Sequence, residues 1–112
     1  MNEYYNPKDL NRFGEIAKFQ PELAKKFFDY YNAAVGGDGA LTKREKALIA
    51  LAVSHAKQCP YCIDAYTTAC LESGADPDQM TEAIHVAAAM EAGMLLVHGV
   101  QMHNKLKHLG AL

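Results

Sequence analysis

Apolar positions along the chain recur every three to four residues, and no segment shows strict two-residue alternation, so the pattern predicts helices and no strands. After a polar lead, Pro7 to about Lys18 predicts a short helix. Pro21 suits a first helical position, and Leu23, Phe27, Phe28 and Tyr31 follow at helical spacing. Gly36-Gly37-Asp38-Gly39 ends that helix and forms the most flexible joint. Thr42-Lys43-Arg44-Glu45 is a capping box, with Thr42 at the N-cap and Glu45 at the third position. The helix it opens, Lys43 to about Lys57, is apolar nearly all round, which places it inside a bundle or at a subunit interface. A further start at Cys59-Pro60 predicts a helix to Ser73, with Gly74 as its C-terminal stop. Asp76-Pro77-Asp78-Gln79 starts the next, carrying Ile84, Ala87, Ala88 and Met90. Gly93 is the expected break, and Met94 to about Lys107 finishes the chain with Leu95, Leu96, Val97 and Val100. The expectation is an all-α bundle of five to six helices, with residues 1–112 in a single domain.

Composition narrows the partners. Half of the 112 residues are apolar, enough for a core, although subunit contacts would help so small a domain. A net charge of −2 without a basic block leaves no footprint for nucleic acid or an anionic membrane. The start, Met1 to Asn6, lacks the basic and apolar regions of a signal peptide. The densest apolar run, Ala47 to Val53, is far shorter than the ~20 residues a bilayer crossing needs. The expected setting is cytoplasmic. Three cysteines are too few for a secreted disulfide scaffold, so in a reducing compartment a close pair points to redox chemistry or metal binding.

That pair is Cys59-Pro60-Tyr61-Cys62. Positions i and i+3 in a first helical turn meet the Cα separation of about 4.4–6.8 Å that a disulfide requires, so the bond can open and close without refolding. With Pro60 at the first helical position, Cys59 falls at the cap and Cys62 at the third position. Both sulfurs are then expected near unpaired amides and the positive end of the helix dipole, which favours the nucleophilic thiolate. A zinc site is the competing reading, but its other half is missing. Cys70 lies ~12 Å along the same helix from Cys62; it reads as a buried small hydrophobe. His55 could supply a third ligand and no fourth is evident. Inert packing of the pair remains a plain alternative. The same tetrapeptide occurs in glutaredoxins, whose fold needs a strand directly before it; here a capped, Ala-rich helix precedes it.

Leu41-Thr42-Lys43-Arg44-Glu45-Lys46-Ala47-Leu48-Ile49-Ala50-Leu51-Ala52-Val53, then the dithiol, then Glu82-Ala83-Ile84-His85-Val86-Ala87-Ala88-Ala89, resembles the carboxymuconolactone decarboxylase and alkyl hydroperoxidase D superfamily. The likeness covers about Leu41 to Leu106. Within that group the chain looks most like small peroxidase-like proteins associated with arsenosugar biosynthesis. The resemblance implies an all-α fold assembling as a trimer or hexamer. It also implies thiol-dependent peroxidase or disulfide-reductase activity, with no cofactor beyond a redox-active Cys59–Cys62 disulfide and no metal. Carried over residue by residue, Cys62 would attack peroxide, Cys59 would resolve the sulfenic acid, and Glu45 would join a proton relay. The substrate would be a small peroxide or disulfide, and a dithiol would act as reductant.

One position departs from the family pattern. Where the hydroperoxidases carry histidine four residues after the second cysteine, this chain has Tyr66, a hydrogen-bond donor but a poor base near neutrality. Proton removal from Cys62 then falls to Glu45, the helix dipole or a histidine: His55 is nearest in sequence, and His85 and His98 could approach from other helices. Bland roles compete with each of these. Glu45 is explained by its capping box, His55 by the end of an apolar helix, Tyr66 by core packing, and His85, His98 and His103 by surface or packing. Glu82-x-x-His85 is half of a di-iron motif whose second half is absent. Lys105, Lys107 and His108 read as solvated charges suited to a helix end. Two other functions stay open: a lactone decarboxylase, which would not need the dithiol, and a non-enzymatic redox-sensing or arsenic-binding protein, since paired thiolates suit a soft thiophile.

Overall fold

The computed structural model describes residues 5–112. Residues 1–4, on which part of the signal-peptide reading falls, lie outside the described residues. An N-terminal 3-10 helix (Pro7–Lys18) is followed by α1 (Pro21–Val35), α2 (Lys43–Ala56), α3 (Pro60–Glu72), α4 (Pro77–Val97) and α5 (Gly99–His108). Among the described residues there is no strand, as the all-α expectation requires.

The first element has the expected bounds but is 3-10 throughout its 12 residues. Such runs rarely exceed three or four residues, because their hydrogen bonds are poorer than those of an α-helix. Here the sequence period is three. At three residues per turn Leu10, Phe13 and Ile16 fall in one row, and Asp9, Arg12 and Glu15 in another. Arg12 pairs with Glu15 at 2.6 Å and with Asp9 at 3.6 Å along the second row. Along the first, the Phe13 ring meets Phe28 edge-on at 5.0 Å and lies 6.2 Å from Phe27. Helix α1 ends as Gly36 donates its N–H to the Asn32 carbonyl at 3.0 Å. A Cβ at Gly36 would sit 2.9 Å from that same oxygen, so the close approach requires glycine.

The capping box of α2 forms as expected: Thr42 Oγ1 accepts the Glu45 N–H at 3.1 Å, and Glu45 Oε1 accepts the Thr42 N–H at 2.9 Å. A second box opens α4, between Asp76 and Gln79. Helix α2 is central and packs chiefly against α3 and α4. The buried centre is small: Ala47, Leu51 and Ser54 from α2, Cys70 from α3, and Ala75, ringed by Leu48, Tyr66, Ala69 and Met80. Gly74, at φ +89°, turns the chain out of α3 so that the Ala75 N–H reaches the Cys70 carbonyl at 2.9 Å and Ala75 enters that centre.

Two expectations are corrected at the C-terminal end. Gly93 does not break the helix; α4 runs through it to Val97, and the joint falls at His98. A lone glycine inside a helix costs about 1 kcal/mol but removes no hydrogen bond, so the helix continues. The expectation that no stretch is apolar enough to cross a bilayer also fails. Helices α4 and α5 together, Pro77–His108, are long and apolar enough by length and composition, and none of the most apolar window is buried. The segment holds no unbroken apolar run of bilayer length; it is apolar through spaced Ala, Met, Leu and Val. The chain is extended as a result. Its radius of gyration is 19.3 Å, against about 13 Å for a compact chain of this length.

Candidate functional site

The turn between α2 and α3 delivers Cys59. At the end of α2 the Gln58 N–H donates to the His55 carbonyl at 3.1 Å and the Cys59 N–H to the Ser54 carbonyl at 3.0 Å. This paired closure places Gln58 in the left-handed region, at φ 53°, where glycine is the usual occupant. Ser54 is itself buried and donates its hydroxyl to the Ala50 carbonyl at 2.6 Å. Cys59 then takes an extended N-cap conformation and Pro60 occupies the first helical position. The Cys62 N–H donates to Cys59 Sγ at 3.4 Å, so Cys59 caps α3 through sulfur, as a serine would through oxygen. Both cysteines are free and half-buried.

The two side chains open onto a cavity of about 810 Å³ that is open to solvent and lined by the 3-10 helix, α1 and α3. Its walls are mainly aromatic: Phe13, Phe27, Phe28, Tyr31, Tyr61 and Tyr66. The paired charges Asp9, Arg12 and Glu15 also line it. Beside the dithiol, Tyr5 folds back onto α3. Its ring meets Tyr61 edge-on at 4.9 Å and its hydroxyl donates to the Asp64 carboxylate.

Electrostatics at the turn oppose one expectation. Burial pushes the Cys62 thiol up to about 11, helped by its hydrogen bond to Cys59 and the charge there. The sulfur that receives the turn's amide is Cys59, so the amide does not offset the desolvation of Cys62. Tyr31 is raised by burial and by facing Cys62 and Cys59, and it stays a protonated donor near neutrality. Tyr5 is pushed up to about 12, chiefly by its hydrogen bond to Asp64.

Of the residues nominated from sequence, the fold brings together Cys59, Cys62 and Tyr66, all lining one cavity. Glu45 is exposed and held in its capping box, where the Thr42 N–H and hydroxyl lower its carboxyl below the ordinary value. It lines no cavity with the dithiol. His55 is half-buried, with Nδ1 at 2.9 Å from the Leu51 carbonyl, a contact that makes Nδ1 the donor and leaves Nε2 to accept when the ring is neutral. His85, His98 and His103 are exposed on α4, at the joint and on α5, away from the dithiol cavity. Cys70 is fully buried in the centre, as its packing role required. Among the described residues no three His, Cys, Asp or Glu side chains gather as a metal-holding group. Sequence reasoning missed Tyr31 as a site residue. Its spacing marked it only as an apolar helical position, and the one further signal was the hydroxyl ending an otherwise phenylalanine-rich stripe.

The profile of the carboxymuconolactone decarboxylase family matches residues 21–102. A Paracoccus denitrificans protein described as uncharacterized protein 4 in the cox locus is 40% identical over 98 residues, covering 88% of this chain and 87% of that one. Among solved structures, the apo crystal structure of a carboxymuconolactone decarboxylase family protein from Legionella pneumophila is similar. It has 35% identity and a TM-score of 0.67 over 75% of each chain.

Proposed function

Since the chain belongs to the carboxymuconolactone decarboxylase family, we propose that it is the dithiol kind of member, a thiol-dependent oxidoreductase that reduces hydroperoxides or disulfides in a reducing, cytoplasmic setting. The observation that carries this reading is that Cys59 and Cys62, one helical turn apart at the start of α3, face the same aromatic cavity.

With a hydroperoxide the steps balance as follows. The Cys62 thiolate attacks the terminal peroxidic oxygen, the O–O bond breaks, and the alkoxide leaves to take up a proton as alcohol. The sulfur is now a sulfenic acid. The Cys59 thiol attacks it, water leaves, and the Cys59–Cys62 disulfide forms; the two electrons the thiols lose have reduced the peroxide to alcohol and water. Tyr31 and Tyr66, whose phenols line the cavity, would donate a hydrogen bond to the departing oxygen. An external thiol donor then restores the pair by exchange. The lactone-decarboxylase reading has no use for the two thiols that line the cavity.

Thiol titration tests the reading. Hydroperoxide should remove two thiols per chain, dithiothreitol should restore them, and Cys62→Ser should abolish consumption while Cys59→Ser leaves a trappable sulfenic acid. A full thiol count after hydroperoxide and disulfide challenge would overturn it.

The same reading includes a homo-oligomer, a trimer or hexamer, assembled through α4 and α5. Met90, Met94, Leu95, Leu96, Val97 and Val100 are all exposed in the protomer, an apolar patch of the sort that marks an interface. Sedimentation should give a species larger than one chain, and Leu96→Glu with Val100→Glu should dissociate it. A wild-type monomer, or recovery only from the membrane fraction, would overturn that part.

A further inference from the structure

Cys59 and Cys62 line two cavities. The second, of about 550 Å³, lies on the other side of Tyr31, between α2 and the C-terminal half of α1. Cys59, Cys62, Tyr31 and Tyr66 are common to both cavities, so the two tyrosines stand between them and the sulfurs can be reached from either side. The charges on the two sides have opposite signs. Asp9, Glu15 and Arg12 line the aromatic cavity, already paired and summing to one negative charge. Lys46 and Lys57 line the second, where no carboxylate is among the lining residues and neither lysine forms an ion pair among the described residues. Ile49, Ala50 and Val53 of α2 add an aliphatic stretch to its wall.

The two halves of a thiol redox cycle need different approaches. A sulfenic acid forms when a peroxide comes in line with the attacking sulfur. A disulfide is reduced when a donor thiolate comes in line with the bond to the sulfur that leaves. One opening serves both poorly while the first product still occupies it.

Resting on the oxidoreductase reading above, we propose that the cavities divide the cycle. An uncharged, carbon-rich oxidant enters the aromatic cavity, and the second cavity admits an anionic thiol donor steered by Lys46 and Lys57. The donor thiolate attacks one sulfur of the Cys59–Cys62 disulfide to give a mixed disulfide and a free cysteine. A second donor thiol displaces the first as the oxidised donor, and both cysteines return to thiols. Two donor thiols lose the two electrons that the pair gains. The negative edge of the aromatic cavity disfavours the same donor there.

The test separates the half-reactions and varies only donor charge. The disulfide is formed with diamide, so re-reduction is measured whether or not a hydroperoxide reacts. Its rate is followed with 2-mercaptoethanesulfonate, 2-mercaptoethanol and cysteamine, three donors of similar size that are anionic, neutral and cationic. In Lys46→Glu/Lys57→Glu, the rate with the anionic donor relative to the neutral one should fall about tenfold, and the cationic donor should gain, the contrast shrinking as salt screens it. Oxidation of the reduced variant by cumene hydroperoxide should stay within about twofold of wild type, because steering acts on charged reactants alone. Equal variant-to-wild-type ratios for all three donors would overturn the proposal. So would oxidation slowed as much as re-reduction. Dissociation of the assembly with unchanged donor ratios would instead make the second cavity a contact between copies of this chain, and would overturn it too. A wild type inert to hydroperoxide and to disulfide substrates would remove the oxidoreductase reading alone, since the donor series starts from a disulfide formed with diamide.

Discussion

Alkylation of Cys62 as a function of pH tests the balance of forces at the dithiol. Three causes raise this thiol from 9.0 to about 11: burial first, then the hydrogen bond to Cys59, then the charge there. Only the thiolate reacts, so at pH 7.5 about 3 molecules in 10,000 are reactive, against about 3 in 100 for an unshifted thiol. The hundredfold deficit is partly offset, because a more basic thiolate is more nucleophilic, with a Brønsted slope of about 0.4–0.5. The net expectation is that folded Cys62 reacts with iodoacetamide about tenfold more slowly than the same residue in guanidinium-unfolded protein. Reduced protein pulsed with iodoacetamide between pH 6.5 and 10.5, with peptide mapping to isolate Cys62, gives the rate directly. It should rise about tenfold per pH unit and show no plateau below pH 10. Cys59→Ala removes the second and third causes and should lower the midpoint, yet leave it above that of an ordinary thiol because burial remains. A plateau at or below pH 8.5 in the wild type would refute this reasoning and favour the helix dipole over desolvation. The sign carries over to oxidation by hydroperoxide, which should accelerate with pH across the same range.

Three further outcomes follow from local geometry. Gln58→Gly should raise stability by about 0.5–1 kcal/mol in thermal melts, because glycine occupies the left-handed region without the side-chain clash and loses part of that gain to chain entropy; a lower melting temperature would count against a strained turn. Thr42→Ala should cost about 1 kcal/mol by removing half of the α2 capping box, and an unchanged denaturant midpoint would contradict it. Cys70→Ser should cost about 1–3 kcal/mol, since a hydroxyl replaces a fully buried apolar thiol, while oxidation still consumes two thiols per chain; loss of that consumption would give Cys70 a part in the chemistry.

Sequence reading succeeded where a rule acts within one or two turns. Thr42 with Glu45, Asp76 with Gln79, Pro60 after Cys59, and Gly74 each set an end from contacts three to five residues apart. Cys59, Cys62 and Tyr66 were legible as a group for the same reason, since they share one helix at spacings of three and four. Two local signals were present but misread. The three-residue period of Leu10, Phe13 and Ile16 specifies 3-10 geometry rather than generic helix, and an interior glycine such as Gly93 lacks the power to break a helix. Tyr31 belongs to a different class. Its role depends on the fold bringing it to the cavity that the dithiol lines, nearly thirty residues away, and nothing near it in the chain separates it from the phenylalanines of the same stripe. The burial that raises Cys62 comes from the same long-range packing, so sequence could supply the helix dipole but not its opponent.

The exposed α4–α5 arm follows the same division. Its apolar content was visible residue by residue, but what covers it depends on contacts beyond one chain. A bilayer would accept its length, yet spanning would carry Glu91, His85 and His98 toward hydrocarbon, where an ionisable side chain costs several kcal/mol unless it is paired. Packing against further copies has no such cost. An apolar stripe can close on its neighbour while these side chains remain at a wet rim. A small buried centre leaves little intrachain stabilisation to hold a solitary apolar arm in water, so the extended shape of the protomer is itself a reason to expect assembly. Stability should therefore rise with protein concentration, as it does when folding and association are linked. A melting temperature independent of concentration over a hundredfold range would set the arm apart from any such coupling.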